Sequence, residues 1–336
     1  MHVTNFQKSI VQNLRGFYLT QIISFLGKSN YLEGVLRSKS IDIKKNNFGF
    51  SQLKLKIIFN YFSSIGFAEK KKNKFYLTDL GRDVLKRSTS FFVPHSYKNY
   101  FYHLGELLKN KYKNINVDRY ENILGSGKTH LRYFLHAISL IKNFKSITSL
   151  IDIGVGNADF AINLNKQHKL NKVFGVDFSK VSVAESEKAL NKKKIKNKVI
   201  QIDGARVDIW AKKAKNFLKN EKIVISLWFL IHEISNNSEK KISNFLKKIK
   251  SHFPTSPIVI CELVKIPEKV LTENKEITYI PEYLLFHNLS NQNVLRIDQL
   301  ERIIKNSSYK IDSKICFDEL KDGKKLYPSV VLYMLK

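Results

Sequence analysis

The chain has 336 residues, 43% of them hydrophobic and 12% aromatic. That is enough apolar surface for a real core, and it excludes a disordered chain or a mini-protein held by staples. Lys and Arg number 58 against 29 acidic residues, a formal charge of +29. Such a balance raises nucleic-acid binding as a reading. The charge is mostly Lys in a chain also crowded with Ile and Asn, however, so composition explains it without a clustered footprint. Two cysteines, Cys261 and Cys316, make neither a disulfide framework nor a four-ligand zinc site, which points to a reduced, cytoplasmic protein. The longest strongly apolar run, residues 223–231, is far short of the ~20 residues a membrane helix needs. The start of the chain, Met1 to Asn5, lacks the basic and apolar stretches of a signal peptide.

In chain order, residues 4–87 read as helices followed by a hairpin. Phe17, Leu19, Ile22, Ile23 and Leu26 recur at helical spacing, as do Leu53, Leu55, Ile57, Ile58, Tyr61, Phe62 and Ile65, and Gly66 suits a left-handed helix end. Short strands flank a Lys-Lys-Lys-Asn turn, and Leu80-Gly81 opens another helix, a winged-helix pattern. Residues 1–90 form this domain. Residues 91–145 form an aromatic helical linker contributing to a substrate pocket, in which Tyr97, Tyr100 and Tyr102 serve equally well as a pocket cap or as core packing. Within it, Gly125-Ser126-Gly127-Lys128-Thr129 looks like the tail of a phosphate-binding loop. Asn122 stands where the motif needs its first Gly, and no apolar strand leads in, so a helix-to-helix turn is expected instead.

From residue 146 to the C-terminus, strands and helices alternate. Strands are expected at 149–153, 173–176, 198–202, 223–226, 258–263 and 330–333, and helices at 158–168, 180–192, 239–252 and 297–306. Repeated strand–helix units imply a parallel sheet with right-handed crossovers, an α/β fold. Asp152-Ile153-Gly154-Val155-Gly156-Asn157-Ala158-Asp159 closes the first of these strands and opens a helix, where an open α/β sheet binds nucleotide-like ligands. Two glycines can also simply make a tight turn. A dinucleotide site is disfavoured, because Ala158 replaces the third Gly and Asp159 stands where pyrophosphate would lie. Asp177 ends the second strand, where a carboxylate accepts from ribose hydroxyls. Asp203-Gly204 follows the third, where a carboxylate accepts from an adenine amino group. Three acidic strand ends suit a sulfonium cofactor, which carries no phosphate.

These motifs resemble those of class I S-adenosylmethionine-dependent methyltransferases, over residues 149–336. The Phe75-Tyr76-Leu77-Thr78 and Leu80-Gly81 signature is similar to that of the dimerisation domain of small-molecule O-methyltransferases. The resemblance implies a Rossmann-like seven-stranded methyltransferase sheet after a mainly helical winged-helix domain, a homodimer through that domain, a small-molecule substrate, and S-adenosyl-L-methionine as cofactor. It further implies that Asp152, Gly154 and Gly156 line the methionine part of the cofactor, Asp177 the ribose and Asp203 the adenine, with Phe178, Gly204 and Leu227 also binding it.

His232-Glu233-Ile234 stands where the O-methyltransferases place a His-Asp-Trp motif, which makes His232 the expected general base, with Ile in place of Trp. His287, 55 residues on, gives a layout that resembles the 2-oxo acid C-methyltransferases. That resemblance implies a divalent metal held by His232, His287 and Glu233, which would acidify the C–H bond beside a 2-oxo acid carbonyl. Metal-free O-methylation with His232 as base is the alternative, and Gln292 is a candidate for orienting substrate. A winged helix that binds nucleic acid is the distant reading, and the helix at 53–65 opposes it, being apolar over a broad face.

Overall fold

Apolar residues at helical spacing near the N-terminus build a helical unit around a hairpin, and the alternating segments after it build a sheet. The computed structural model describes residues 5–45, 49–109, 111, 115–144, 146–235 and 238–336; Met1–Thr4, read above for a leader, lie outside them. The chain divides into two units: one runs through Lys98 and takes in Leu124–Thr129, and the other contains Asn99–Ile123 and His130–Lys336.

The first unit contains helices α1 (Asn5–Lys28), α2 (Asn30–Arg37) and α3 (Gln52–Ser64), strands β1 (Ala68–Lys71) and β2 (Lys74–Leu77), then α4 (Asp79–Lys86) and α5 (Phe92–Ser96). Its core is Ile23, Leu26, Leu55, Phe59, Phe62, Phe75 and Leu85. Gly66, at φ 81°, ends α3 as expected. The Thr78 hydroxyl accepts from Gly81 N–H at 3.1 Å and caps α4. Gly81 has no substitute: a Cβ there would stand 2.0 Å from the carbonyl oxygen of Phe67. Not all the apolar positions face inward. Phe17 is 56% exposed and lies with Ile10, Val11, Leu14, Tyr18 and Phe25 on an outer stripe of α1, and Leu53 and Ile57 of α3 are also exposed.

Short helices α6 (Lys98–Tyr102) and α7 (Leu104–Leu108) lead to the 24-residue α8 (Arg119–Lys142). The expected helix-to-helix turn at 125–129 is instead part of α8. Gly125 is there because Phe92 and Val93 pack on it, and a Cβ would meet both at 2.9 Å.

The second unit continues with β3 (Ser149–Ile153), α9 (Asp159–His168), β4 (Lys172–Asp177), α10 (Lys180–Lys192), β5 (Asn197–Gln201), α11 (Val207–Phe217) and β6 (Ile223–Trp228). Then come α12 (Ile231–Ser235), α13 (Glu239–His252), β7 (Ile258–Leu263), α14 (Glu268–Glu273), α15 (Ile280–Leu289), α16 (Ile297–Asn306), β8 (Ile311–Phe317), the small hairpin β9 (Leu320–Asp322) and β10 (Lys325–Tyr327), and β11 (Val330–Leu335). Seven strands form one sheet in the order β5-β4-β3-β6-β7-β11-β8. The first five are parallel, and β11 runs antiparallel to β7 and β8. Strands β3, β7 and β11 are buried along their whole length, as mainly apolar strands are when both faces of the sheet are covered. Alternate residues feed two cores, one on each face: Leu150 and Val224 on one, Ile151 and Ile225 on the other. The strand order reverses between β3 and β6, the switch point at which open α/β sheets bind ligands beyond the carboxyl ends of their strands.

Candidate active site

The turn after β3 is built for close approach. Gly154 and Gly156 have φ of 75° and 55°, and the N–H groups of Gly154 and Val155 bond the carbonyl of Val176 on β4. Ala158 also takes a left-handed φ, 62°, so the third Gly position keeps its conformation with a methyl group buried in the core. Asp177 locks this turn: one carboxylate oxygen accepts Gly156 N–H at 3.1 Å and the other Ser179 N–H at 2.9 Å. Burial raises its pKa, and those two backbone donors oppose the rise. Asp152 is fully buried, and burial pushes its carboxyl up to about 7 against the Ser226 hydroxyl, which donates to it at 2.6 Å.

The structure brings the third acidic strand end beside the second, since Ile202 N–H bonds the carbonyl of Asp177. Asp203 itself is exposed and accepts Ala205 N–H at 2.9 Å. Gly204 leaves room for Ile153, whose Cγ2 would lie 2.8 Å from a Cβ, and its carbonyl accepts the Trp210 indole N–H. Phe178 is 47% exposed, with the Arg119 guanidinium 4.6 Å from its ring centre. Leu227 departs from expectation. Its side chain is wholly buried in the core with Ile153 and Ile225, leaving only its backbone for a ligand.

These features fit a sulfonium nucleoside. Carboxylates end the strands, the turn is open backbone, and Asp159 in the first turn of α9 is unsuited to pyrophosphate. At the end of β6 the Trp228 indole N–H, 9% exposed, is a buried donor with no partner among the described residues.

His232 lies on α12 rather than at a strand end, four residues beyond β6. Its partner, Glu262 near the end of β7, is absent from the sequence-based set of candidates. The His232 Nδ1–H donates to Glu262 Oε1 at 2.6 Å, and the other Glu262 oxygen accepts the N–H groups of Ile231 (2.7 Å) and His232 (3.4 Å). Burial alone would lower the His232 pKa, but the Glu262 carboxylate outweighs it and the net shift is upward. One signal for Glu262 is in the sequence: a single acid within the apolar run Ile258–Val264 must be paired once buried.

His287 sits on α15, its ring centre 4.7 Å from that of His232 and nearly perpendicular to it. Its Nδ1–H donates to the Tyr283 carbonyl at 2.6 Å. Burial, and the charge of His232, bring its pKa down to about 3.

The expected metal set does not assemble. Glu233 points its carboxylate to Arg119, with Oε1 3.2 Å from Nη1. Among the described residues no group of three His, Cys, Asp or Glu side chains could hold a metal ion. The donor set therefore does not fit the divalent ion.

No protein-family model matches the chain, and no curated protein matches it in sequence. Solved structures do match in fold. Human N-acetylserotonin methyltransferase in complex with S-adenosylmethionine superposes with a TM-score of 0.67 at 10% identity, over 99% of this chain and 98% of that one. This is the class I methyltransferase fold. The mitomycin 7-O-methyltransferase MmcR gives a TM-score of 0.61 at 10% identity, over 98% of this chain and 97% of its own. An O-methyltransferase family protein from Burkholderia thailandensis gives 0.60 at 11%, over 100% and 98%. The likeness spans the methyltransferase fold and the helical unit before it, as expected from the motifs.

Proposed function

We propose that this protein transfers the methyl group of S-adenosyl-L-methionine to a hydroxyl oxygen of a small molecule, with His232 as general base. The His232–Glu262 contact of 2.6 Å carries the reading. A proton fixed on Nδ1 by a carboxylate leaves Nε2 as the nitrogen that accepts the substrate's proton, and Glu262 stabilises the imidazolium that forms. When bound, the cofactor supplies an electrophilic methyl group for in-line displacement. The chain's own contribution is alignment and exclusion of water. Asp177 and Asp203 accept from the ribose and adenine, the Gly154–Gly156 backbone lies against the methionine part beside Asp152, and Phe178 covers an edge.

The C-methylation of a 2-oxo acid requires a third metal ligand, and Glu233 is engaged by Arg119, so the metal-free reading is preferred. A homodimer is part of the proposal, the exposed stripe Ile10, Leu14, Phe17 and Phe25 of α1 meeting a second copy. No helix among the described residues is long and apolar enough to cross a membrane.

The test is methyl transfer from labelled cofactor to a panel of hydroxylated small molecules, with S-adenosylhomocysteine release as the readout. Activity in wild type and its loss in His232→Ala are expected; failure to bind S-adenosylhomocysteine, or full activity in His232→Ala, rejects the proposal. Light scattering after gel filtration tests the dimer separately.

A further inference from the structure

A third imidazole lies beside the His232–His287 pair. His130 of α8 stacks on Phe229, with ring centres 4.0 Å apart and planes 18° from parallel. Tyr133, one turn further along α8, meets the same Phe229 ring at 5.8 Å. Phe229 takes a left-handed φ of 49°, costly for a bulky residue, and its N–H is tied to the Cys261 carbonyl at 2.8 Å. Such strain persists where the surroundings over-determine it, commonly at ligand sites. Only Leu230 and Ile231 separate Phe229 from His232. The turn that launches α12 therefore also presents the ring on which His130 rests.

The three imidazoles differ in what holds them. The Nδ1 atoms of His232 and His287 are both committed, each at 2.6 Å, whereas His130, partly buried, makes no hydrogen bond to any described residue. Burial and the charge of His232 bring the His130 pKa down to about 3, so it stays neutral when His232 takes a proton. A neutral imidazole offers one donor and one acceptor. Neither has a partner among the described residues, so a ligand that supplies one adds a hydrogen bond that the protein does not make.

We propose that His130 is a specificity-determining residue that hydrogen-bonds a second polar group of the substrate, next to the hydroxyl presented to His232. The inference rests on the methyl-transfer reading above and names its substrate class: flat molecules carrying two neighbouring polar substituents, one methylated at His232 and one held at His130. The ring of Phe229, fixed by its backbone, sets the plane of His130 and hence the direction of that hydrogen bond.

The experiment is calorimetric titration of the full chain, saturated with S-adenosylhomocysteine, with catechol and with phenol. Wild type binds catechol roughly tenfold more tightly, the net worth of one hydrogen bond. His130→Phe, which keeps a flat ring against Phe229, abolishes the preference, and His130→Asn, which keeps a donor and an acceptor, retains part of it. Equal affinities in wild type, binding of neither probe, or an undiminished preference in His130→Phe overturns the proposal. Should His130→Phe not fold, the wild-type preference and His130→Asn decide. S-adenosylhomocysteine affinity and circular dichroism are recorded for each protein. Failure of wild type to bind S-adenosylhomocysteine rejects the methyl-transfer reading, while tight binding of it without a catechol preference rejects only the role of His130.

Discussion

Glu262 grips His232 twice, by the ring Nδ1–H at 2.6 Å and by the backbone N–H at 3.4 Å, and spends its remaining capacity on the N–H groups of Ile231 and Leu263. A carboxylate that accepts four donors inside a core is held in one orientation, and it passes that orientation to the imidazole. The sheet makes the pairing: β7 lies beside β6, so a side chain near the end of one strand faces the turn that leaves the other.

The first prediction concerns pH. His232 is raised above its ordinary value of 6.5, and the base form is the active one, so activity climbs with pH along a limb centred above that value. Glu262→Gln removes the charge that raises it, so the limb moves to lower pH while the maximal rate falls by about 10²-fold. Stability has the opposite slope: a raised His stabilises the fold below its unfolded pKa, and that contribution is lost as pH rises through the folded one. Rate profiles and denaturant midpoints of the two proteins between pH 5 and 9 check both signs. An unmoved limb in Glu262→Gln would count against the dyad.

The second concerns Asp152. Its carboxyl is raised from 3.8 to about 7 by burial, so the fold favours the protonated form. The sign is that of an acid with a raised pKa: stability falls as pH climbs from 3.8 to about 7 and is flat above. Asp152→Asn removes that slope and keeps an acceptor for the Ser226 hydroxyl, raising the stability of the cofactor-free protein at pH 8 by about 2 kcal/mol, half the full linkage value. It weakens cofactor binding at the same time. Thermal unfolding with and without S-adenosylhomocysteine reads both effects, and a variant less stable than wild type without ligand refutes the account.

How much of this was legible in the sequence depends on the range of the interaction. The placement of Asp152, Asp177 and Asp203 was readable because each stands at or just past the carboxyl end of a parallel strand, and such ends converge without further information. Gly66 and Gly81 were readable because turn chemistry is local. The partnership of His232 with Glu262 depends on the register of β6 against β7, and nothing in a string of residues gives that. His130 was invisible for a similar reason, since its contact with Phe229 joins residues far apart in the chain. Glu233 was misread as a ligand because its neighbour in sequence is a candidate base, while in space its neighbour is Arg119. On α1, helical spacing identified the apolar residues but not which of two apolar faces looks inward.

A third prediction tests the packing of the first unit. Gly81→Ala places a methyl group 2.0 Å from the backbone oxygen of Phe67, a contact no side-chain rotation relieves. A loss of about 3 kcal/mol or more is expected, comparable to the largest single-site effects. Gly105→Ala, which meets nothing within 4 Å, serves as the control and leaves stability within about 0.5 kcal/mol. Equal unfolding midpoints for the two variants contradict the close approach of α4 to Phe67.

The last prediction separates the two chemistries. With Glu233 engaged by Arg119 and no three-ligand group among the described residues, dialysis against a strong chelator leaves methyl transfer to a hydroxyl unchanged. Glu233→Gln then acts only through its ion pair, which is three-quarters buried on both sides, so the rate changes by less than about tenfold, the effect of a partly screened pair. Were the two histidines and Glu233 metal ligands, the same substitution and the same chelator would each abolish turnover, and added divalent ion would restore only the chelated sample. Rates of the two proteins before chelation, after it and after metal return distinguish these outcomes, because an ion pair is indifferent to chelator and a ligand set is not.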